Sequence, residues 1–184
     1  MLVPLTLGDE AETLAKIGPG VPWLALALAS LVTLERVFQA DLQDGALDLW
    51  AQEETSISLI ALTKTMAHWF ISGAPLVLMS PVLGRLLGVP VEQMVPAMLA
   101  YGMGGLTFFL WGGVAAALAA GVARAGLLIA LIAIPFFVPA IIFGTLSLSE
   151  GFDGSAILFL GASTLFALGV APAAMGAALR LAAE

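Results

Sequence analysis

The chain has 184 residues, of which 61% are hydrophobic and only 10% are charged, and its formal net charge is −7. Soluble globular domains carry about 25% charged residues, so this chain could not cover a water-exposed surface without leaving large apolar patches. The acidic balance argues against nucleic-acid binding, which depends on Lys and Arg neutralising phosphates. The lack of cysteine excludes disulfides and Cys-ligated zinc or iron–sulfur sites. Lipid is therefore the expected solvent.

Five apolar stretches are long enough to cross a bilayer, since about 20 apolar helical residues span a hydrocarbon core of roughly 30 Å. In chain order they run from Gly18 to Leu34, Ile57 to Leu83, Met94 to Ala119, Ala125 to Ser147 and Ser155 to Leu179. Prolines in these stretches do not exclude spanning, because neighbouring helices can satisfy the freed carbonyl groups. We predict an all-α, polytopic integral membrane helical bundle that forms a single transmembrane domain over residues 1–184.

The third stretch is rich in small residues, among them Gly102, Gly104, Gly105, Gly112 and Gly113. Small residues let another helix approach closely within a membrane. The pattern favours dense helix packing, and a sliding or gating surface is the alternative.

Basic residues near the ends of the stretches predict the orientation of the chain. One side carries Arg36, Lys64, Arg124 and Arg180, and the other carries Lys16 and Arg85. This bias places the connection at about 35–56 and the C-terminus in the cytoplasm, and it puts Met1 outside. The apolar run Met1 to Leu7 is too short to span, so we interpret it as the end of a sixth helix whose beginning is missing. A short re-entrant or disordered segment is the alternative.

The predicted cytoplasmic segment is amphipathic and acidic. Apolar residues recur at helical spacing: Leu34, Val37, Phe38, Leu42, Gly45, Ala46, Leu49 and Trp50. The charged residues are the acidic Glu35, Asp41, Asp44, Asp48, Glu53 and Glu54 and the basic Arg36. The turn-type dipeptide Asp44–Gly45 is expected to break the helix in two.

Two interpretations of this segment remain open. Helices that lie on the membrane interface usually carry Lys and Arg on their polar face, where they meet anionic lipid. An acidic face instead favours docking into a basic groove on a cytoplasmic protein.

Lys64 and His68 lie four residues apart and share one face of the second stretch. His68 is about 16 Å beyond Ile57, close to the middle of the bilayer, whereas Lys64 is shallow enough to reach the cytoplasmic interface. Three roles are open for His68: a hydrogen bond across helices, a contact in a subunit interface or cavity, or a haem ligand. Trp69 beside it favours packing. No Walker, Gly-x-Ser-x-Gly or zinc-type histidine motif occurs, so the chain is expected to be non-catalytic.

Three runs of sequence resemble the CcmB family of membrane subunits from the cytochrome c maturation ABC transporter. The most specific is Leu34–Leu49, with the sequence LERVFQADLQDGALDL. A second match is Lys64–Trp69, followed by Gly73–Leu76 and Leu78–Pro81. Leu14–Trp23 is a weaker third match, and the C-terminal half resembles the family mainly by hydropathy.

The resemblance implies an ABC-2-type-permease-like fold in the bacterial inner membrane, with six spans, and therefore a truncated N-terminus here. It implies that Glu35, Arg36, Phe38, Asp41, Asp44 and Gly45 dock onto a separate ATPase subunit, with Lys64, His68 and Trp69 as intramembrane candidates. The other expected partners are a second copy of the chain and a haem-handling membrane protein.

On the same resemblance, ATP is bound by the partner subunit, haem is the molecule handled, and this chain holds no cofactor or metal. Two functions remain open. One is haem export. The other is ATP-driven release of a haem-loaded chaperone, in which this chain is an assembly scaffold that moves no substrate. A permease of another ABC exporter is a further alternative. A membrane haem redox enzyme is disfavoured by the lack of a second histidine.

Overall fold

The computed structural model describes residues 20–35, 37–52, 56–86, 90–122, 125–149 and 154–183. These ranges are almost entirely helical and contain no strand. The helices are α1 Val21–Leu34, α2 Gln39–Gln43, α3 Ala46–Gln52, α4 Ile57–His68, α5 Ala74–Leu86, α6 Val91–Leu118, α7 Gly126–Ser149 and α8 Ser155–Ala182. A π-helical turn, Trp69–Gly73, joins α4 to α5.

Five segments of the described chain are long and apolar enough to cross a membrane. They are Val21–Gln43, Ile57–Leu83, Val91–Leu118, Gly126–Ser149 and Ser155–Ala182. Their outer faces carry exposed apolar side chains such as Leu127 and Leu158, as a lipid-facing surface requires. The prediction of a polytopic helical bundle is confirmed. The predicted end of a sixth helix, Met1 to Leu7, lies outside the described residues.

Helix α6 occupies the centre of the bundle, where it contacts α1, α5, α7 and α8. Its glycines make these contacts close. A Cβ built on Gly104 would lie 2.0 Å from Cζ3 of Trp23, and one built on Gly112 would lie 2.8 Å from Cδ1 of Leu34. The predicted dense packing around these small residues is therefore confirmed.

Side-chain hydroxyl groups connect α6 and α8 and connect α4 to α8. Thr107 Oγ1 donates to Thr164 Oγ1 at 3.0 Å, and Thr65 Oγ1 donates to the sulfur of Met175 at 3.4 Å. A Cβ built on Gly113 would lie 2.8 Å from Thr65 Oγ1, so α4 sits directly against α6. These contacts fix α4 against α6 and α8 at the residue next to Lys64.

The second membrane-spanning segment is divided by the π-helical turn. Pro75 lies just after the turn and has no N–H to donate to the preceding turn, so a regular helix cannot continue unchanged through this point. Gly73 ends the turn and brings the backbone close to α6, since a Cβ there would lie 2.9 Å from Cε2 of Phe109. The segment consists of two half-helices, α4 and α5.

Candidate functional site

Between helices α1 and α4, the described residues 35 and 37–52 include the two short helices α2 and α3, and this part of the chain is called here the 35–52 segment. Helix α2 ends at Gln43, and the backbone N–H of Asp44 donates to the carbonyl oxygen of Ala40 at 2.9 Å. Gly45 follows with a φ of 73°, in the left-handed region that glycine adopts without strain. The predicted break at Asp44–Gly45 is confirmed.

The 35–52 segment packs one side onto the bundle. Val37, Phe38 and Leu47 are buried, while Leu49 is 62% exposed. Leu49, which the helical spacing places on the apolar face, is therefore exposed, and Leu47 is buried instead. The left-handed residue Gly45 redirects the chain, so the helical spacing of α2 does not continue into α3.

The centre of the site is an ion pair between the 35–52 segment and the second membrane-spanning segment. Lys64 Nζ donates to Asp41 Oδ2. The Asp41 side chain is only 14% exposed and that of Lys64 is 31% exposed, so the pair is shielded from water more than an ordinary surface pair. Lys64 Nζ also lies 5.5 Å from the centroid of the Trp50 ring, within range of a cation–π contact. Residues from α2, α3 and α4 thus converge on one ammonium group.

A second attachment joins the 35–52 segment to the end of α6. Gln39 Nε2 donates to the carbonyl oxygen of Val122 at 2.8 Å. Beside it, Leu42 packs over Gly121, where a Cβ would lie 3.9 Å from Leu42 Cδ2. Val122 lies beyond the last residue of α6, so its carbonyl oxygen accepts no hydrogen bond within that helix. Gln39 supplies the donor for this oxygen instead.

A third attachment joins the segment to the start of α7. The Glu35 carboxylate lies beside Gly126, and a Cβ built on that glycine would be 3.0 Å from Oε1. Gly126 is the first residue of α7, where the helix dipole and free N–H groups favour a negative charge. Together the three attachments connect the segment to α4, α6 and α7.

The other predicted docking residues lie in different environments. Asp44 is exposed, and Phe38 is only 1% exposed, so Phe38 supports the segment from inside instead of offering a contact surface. Arg36, Glu53 and Glu54 lie outside the described residues, as do Lys16 and Arg124, on which the predicted orientation partly rests.

His68 and Trp69 lie deeper than Lys64, at the start of the π-helical turn. His68 is half-buried and forms no hydrogen bond with any described residue, so the predicted hydrogen bond across helices is not formed there. Trp69 packs against α6, where a Cβ on Gly105 would lie 3.6 Å from the indole nitrogen. Trp69 therefore packs within the bundle. Neither side chain joins the Asp41–Lys64 pair.

Comparison with known protein families and with individual proteins points to one family. A family model described as CcmB protein matches residues 1–182. The chain is 38% identical over 184 residues to Heme exporter protein B of Paracoccus denitrificans, covering 98% of this chain and 84% of the relative. It is 36% identical over 184 residues to Heme exporter protein B of Pseudomonas aeruginosa (98% and 82%) and 35% identical over 185 residues to that of Escherichia coli K12 (98% and 84%). The chain belongs to the CcmB family.

Proposed function

We propose that this chain is the membrane subunit of a haem-export ABC transporter for cytochrome c maturation, and that the 35–52 segment couples it to a separate ATPase subunit. The CcmB family match and the relatives named Heme exporter protein B support the class of transporter. Five apolar helices of membrane-spanning length support a multi-pass protein of the bacterial inner membrane. The chain is a non-catalytic permease subunit, and ATP hydrolysis belongs to its partner.

The observation that carries the coupling role is the two-sidedness of the 35–52 segment. Its inner side is attached to the bundle through Asp41 and Gln39. Its outer side presents Gln43, Asp44 and Leu49 to solvent. A segment bound on one side to helices and free on the other can pass a displacement from a docked protein into the bundle.

The outer side has the chemistry of a docking surface. Leu49 is 62% exposed and provides an apolar anchor, and the exposed carboxylate of Asp44 lies at the turn between the two short helices. An apolar centre within a polar rim is the usual composition of a protein–protein interface. The partner surface would be an apolar pocket with a basic rim, on the cytoplasmic ATPase.

The inner side has the chemistry of a transmitting contact. Moving α2 and α3 away from the bundle would break the Asp41–Lys64 ion pair and the contact of Lys64 with the Trp50 ring. Motion of the segment is therefore favoured together with α4. ATP-driven closure of the partner would bias this two-state element.

Haem is proposed as the molecule handled by the assembled complex and not as a resident cofactor of this chain. The sequence contains one histidine and no cysteine, so it cannot supply the paired histidine or thiolate ligands of common haem proteins. A second copy of the chain and a haem-handling membrane protein complete the proposed complex.

The coupling role is tested by separating association from coupling in the reconstituted complex. Leu49→Asp and Asp44→Lys should each lower co-purification of the ATPase subunit by tenfold or more. Lys64→Gln should leave co-purification unchanged but reduce cytochrome c maturation. Glu92→Lys, which reverses an exposed carboxylate at the opposite end of the bundle, should affect neither. Normal association of the Leu49→Asp and Asp44→Lys variants would contradict the docking surface.

A further inference from the structure

An apolar groove runs along the lipid-facing side of α5 and α6. Its main hollow has a volume of about 540 Å³. The lining side chains include Phe70 and Leu78 on one side and Leu99, Gly102 and Met103 on the other. All of these residues are apolar, so the groove can hold a hydrocarbon chain.

The groove continues toward the end of the bundle far from the 35–52 segment. A second hollow of about 450 Å³ follows along the same two helices, between Pro81 and Val82 on α5 and Val91 and Met94 on α6. Arg85, in the last turn of α5, also lines it. Arg85 is exposed and forms no ion pair with any described residue. The groove is thus apolar along its length and cationic at its outer end.

The depth of these features matches one leaflet of a bilayer. At 1.5 Å per residue, Phe70 lies about 20 Å and Arg85 about 42 Å along the helix axis from Ile57. The hydrocarbon core is roughly 30 Å thick and about 40–45 Å with headgroups. The deep end of the groove therefore lies near the middle of the bilayer, and Arg85 lies at the level of the lipid headgroups.

We propose that this groove is a binding site for one anionic glycerophospholipid, with an acyl chain in the apolar hollow and the headgroup phosphate on Arg85. A phospholipid combines a hydrocarbon chain and a phosphate at the separation that the groove provides. A guanidinium group binds phosphate through two parallel N–H···O bonds, which fixes the headgroup. Gly102 lines the hollow, and a Cβ there would make only an ordinary contact, 3.8 Å from Cγ1 of Val77, so a larger side chain can extend into the hollow without a clash at its base.

Native mass spectrometry of the full chain, purified in mild detergent with phosphatidylglycerol, tests the site. One tightly retained phosphatidylglycerol is expected. Arg85→Gln should weaken its retention about fivefold, the effect of one basic residue near a lipid surface. Gly102→Leu should weaken it tenfold or more by filling the hollow. The matched controls are Arg180→Gln, an exposed arginine on another helix, and Gly169→Leu, a glycine with nothing near its Cβ position.

Equal loss in the variants and their controls would overturn the proposal, as would unchanged lipid retention in Arg85→Gln and Gly102→Leu. Inorganic phosphate should not displace the lipid, because a free phosphate lacks the acyl chain. Displacement would show that Arg85 binds only an anion and that the apolar hollow contributes nothing. Should Gly102→Leu leave lipid retention unchanged, and should the same variant release another membrane protein from the reconstituted complex, the groove holds a partner helix and not a lipid.

Discussion

Trp23 lies so close to Gly144 that a Cβ built on the glycine would be only 2.1 Å from Cζ2 of the indole. The indole is fully buried, and Gly104 confines its opposite edge. The ring therefore has no space into which it could withdraw. This contact locks α1 between α6 and α7, and α1 leads directly into the 35–52 segment.

Gly144→Ala is expected to destabilise the protein by about 1–3 kcal/mol, because the added methyl group overpacks a rigid contact. Thermal unfolding in detergent measures the change. Gly161→Ala is the matched control, since Gly161 also lies within a helix but has nothing within 4 Å of its Cβ position. Combining Gly144→Ala with Trp23→Leu should cost less than the sum of the two single changes. A fully additive result would show that the two residues do not press on each other.

Charge reversal tests whether the Asp41–Lys64 ion pair is needed for function. Asp41→Lys and Lys64→Asp each place like charges together and should each abolish most cytochrome c maturation, while the double exchange should restore part of it. A double-mutant cycle of stability should give a coupling energy above the ~1 kcal/mol typical of exposed pairs, since the Asp41 side chain is only 14% exposed. A coupling energy near zero would remove the pair from the mechanism.

Gly45 should tolerate asparagine better than alanine. Its φ of 73° costs an ordinary residue about 1–2 kcal/mol, whereas asparagine adopts this conformation more readily. The space around Gly45 is open, so any difference between the two variants reports the backbone and not packing. Gly45→Ala should therefore lower co-purification of the ATPase subunit more than Gly45→Asn. Equal effects of the two substitutions would contradict this reasoning.

Gln39 should matter for coupling more than for docking. Its side-chain amide binds the carbonyl oxygen of Val122 at 2.8 Å and faces the bundle. Gln39→Ala should reduce cytochrome c maturation while leaving the ATPase subunit bound in co-purification. Glu92→Lys is again the control, because Glu92 is an exposed residue at the opposite end of the bundle. A loss of binding in Gln39→Ala alone would move this residue to the docking surface.

The membrane-spanning segments and the break at Gly45 could be predicted from the sequence because their signals are local. A run of about 20 apolar residues can satisfy its backbone in lipid only as a helix. The Asp44–Gly45 dipeptide marks a turn for an equally local reason, since glycine permits a positive φ.

The burial of Leu47 and the exposure of Leu49 could not be predicted from the sequence. Helical spacing assumes one continuous helix axis, and Gly45 interrupts that axis. Nor could the sequence pair Asp41 with Lys64. The sequence placed Lys64 within reach of the cytoplasmic interface and named no partner for it, because the choice among several acidic residues depends on how α2 folds back onto α4. A contact between residues far apart in the sequence depends on how the helices pack, and no periodic pattern in the sequence predicts it.

The π-helical turn Trp69–Gly73 has a mechanical consequence for the second membrane-spanning segment. An uninterrupted helix transmits a push at one end as a rigid rod, so Lys64 and Arg85 would have to move together. The turn replaces the regular hydrogen-bond ladder at the midpoint. The half that receives the ion pair can therefore tilt while the half that borders the apolar groove keeps its orientation.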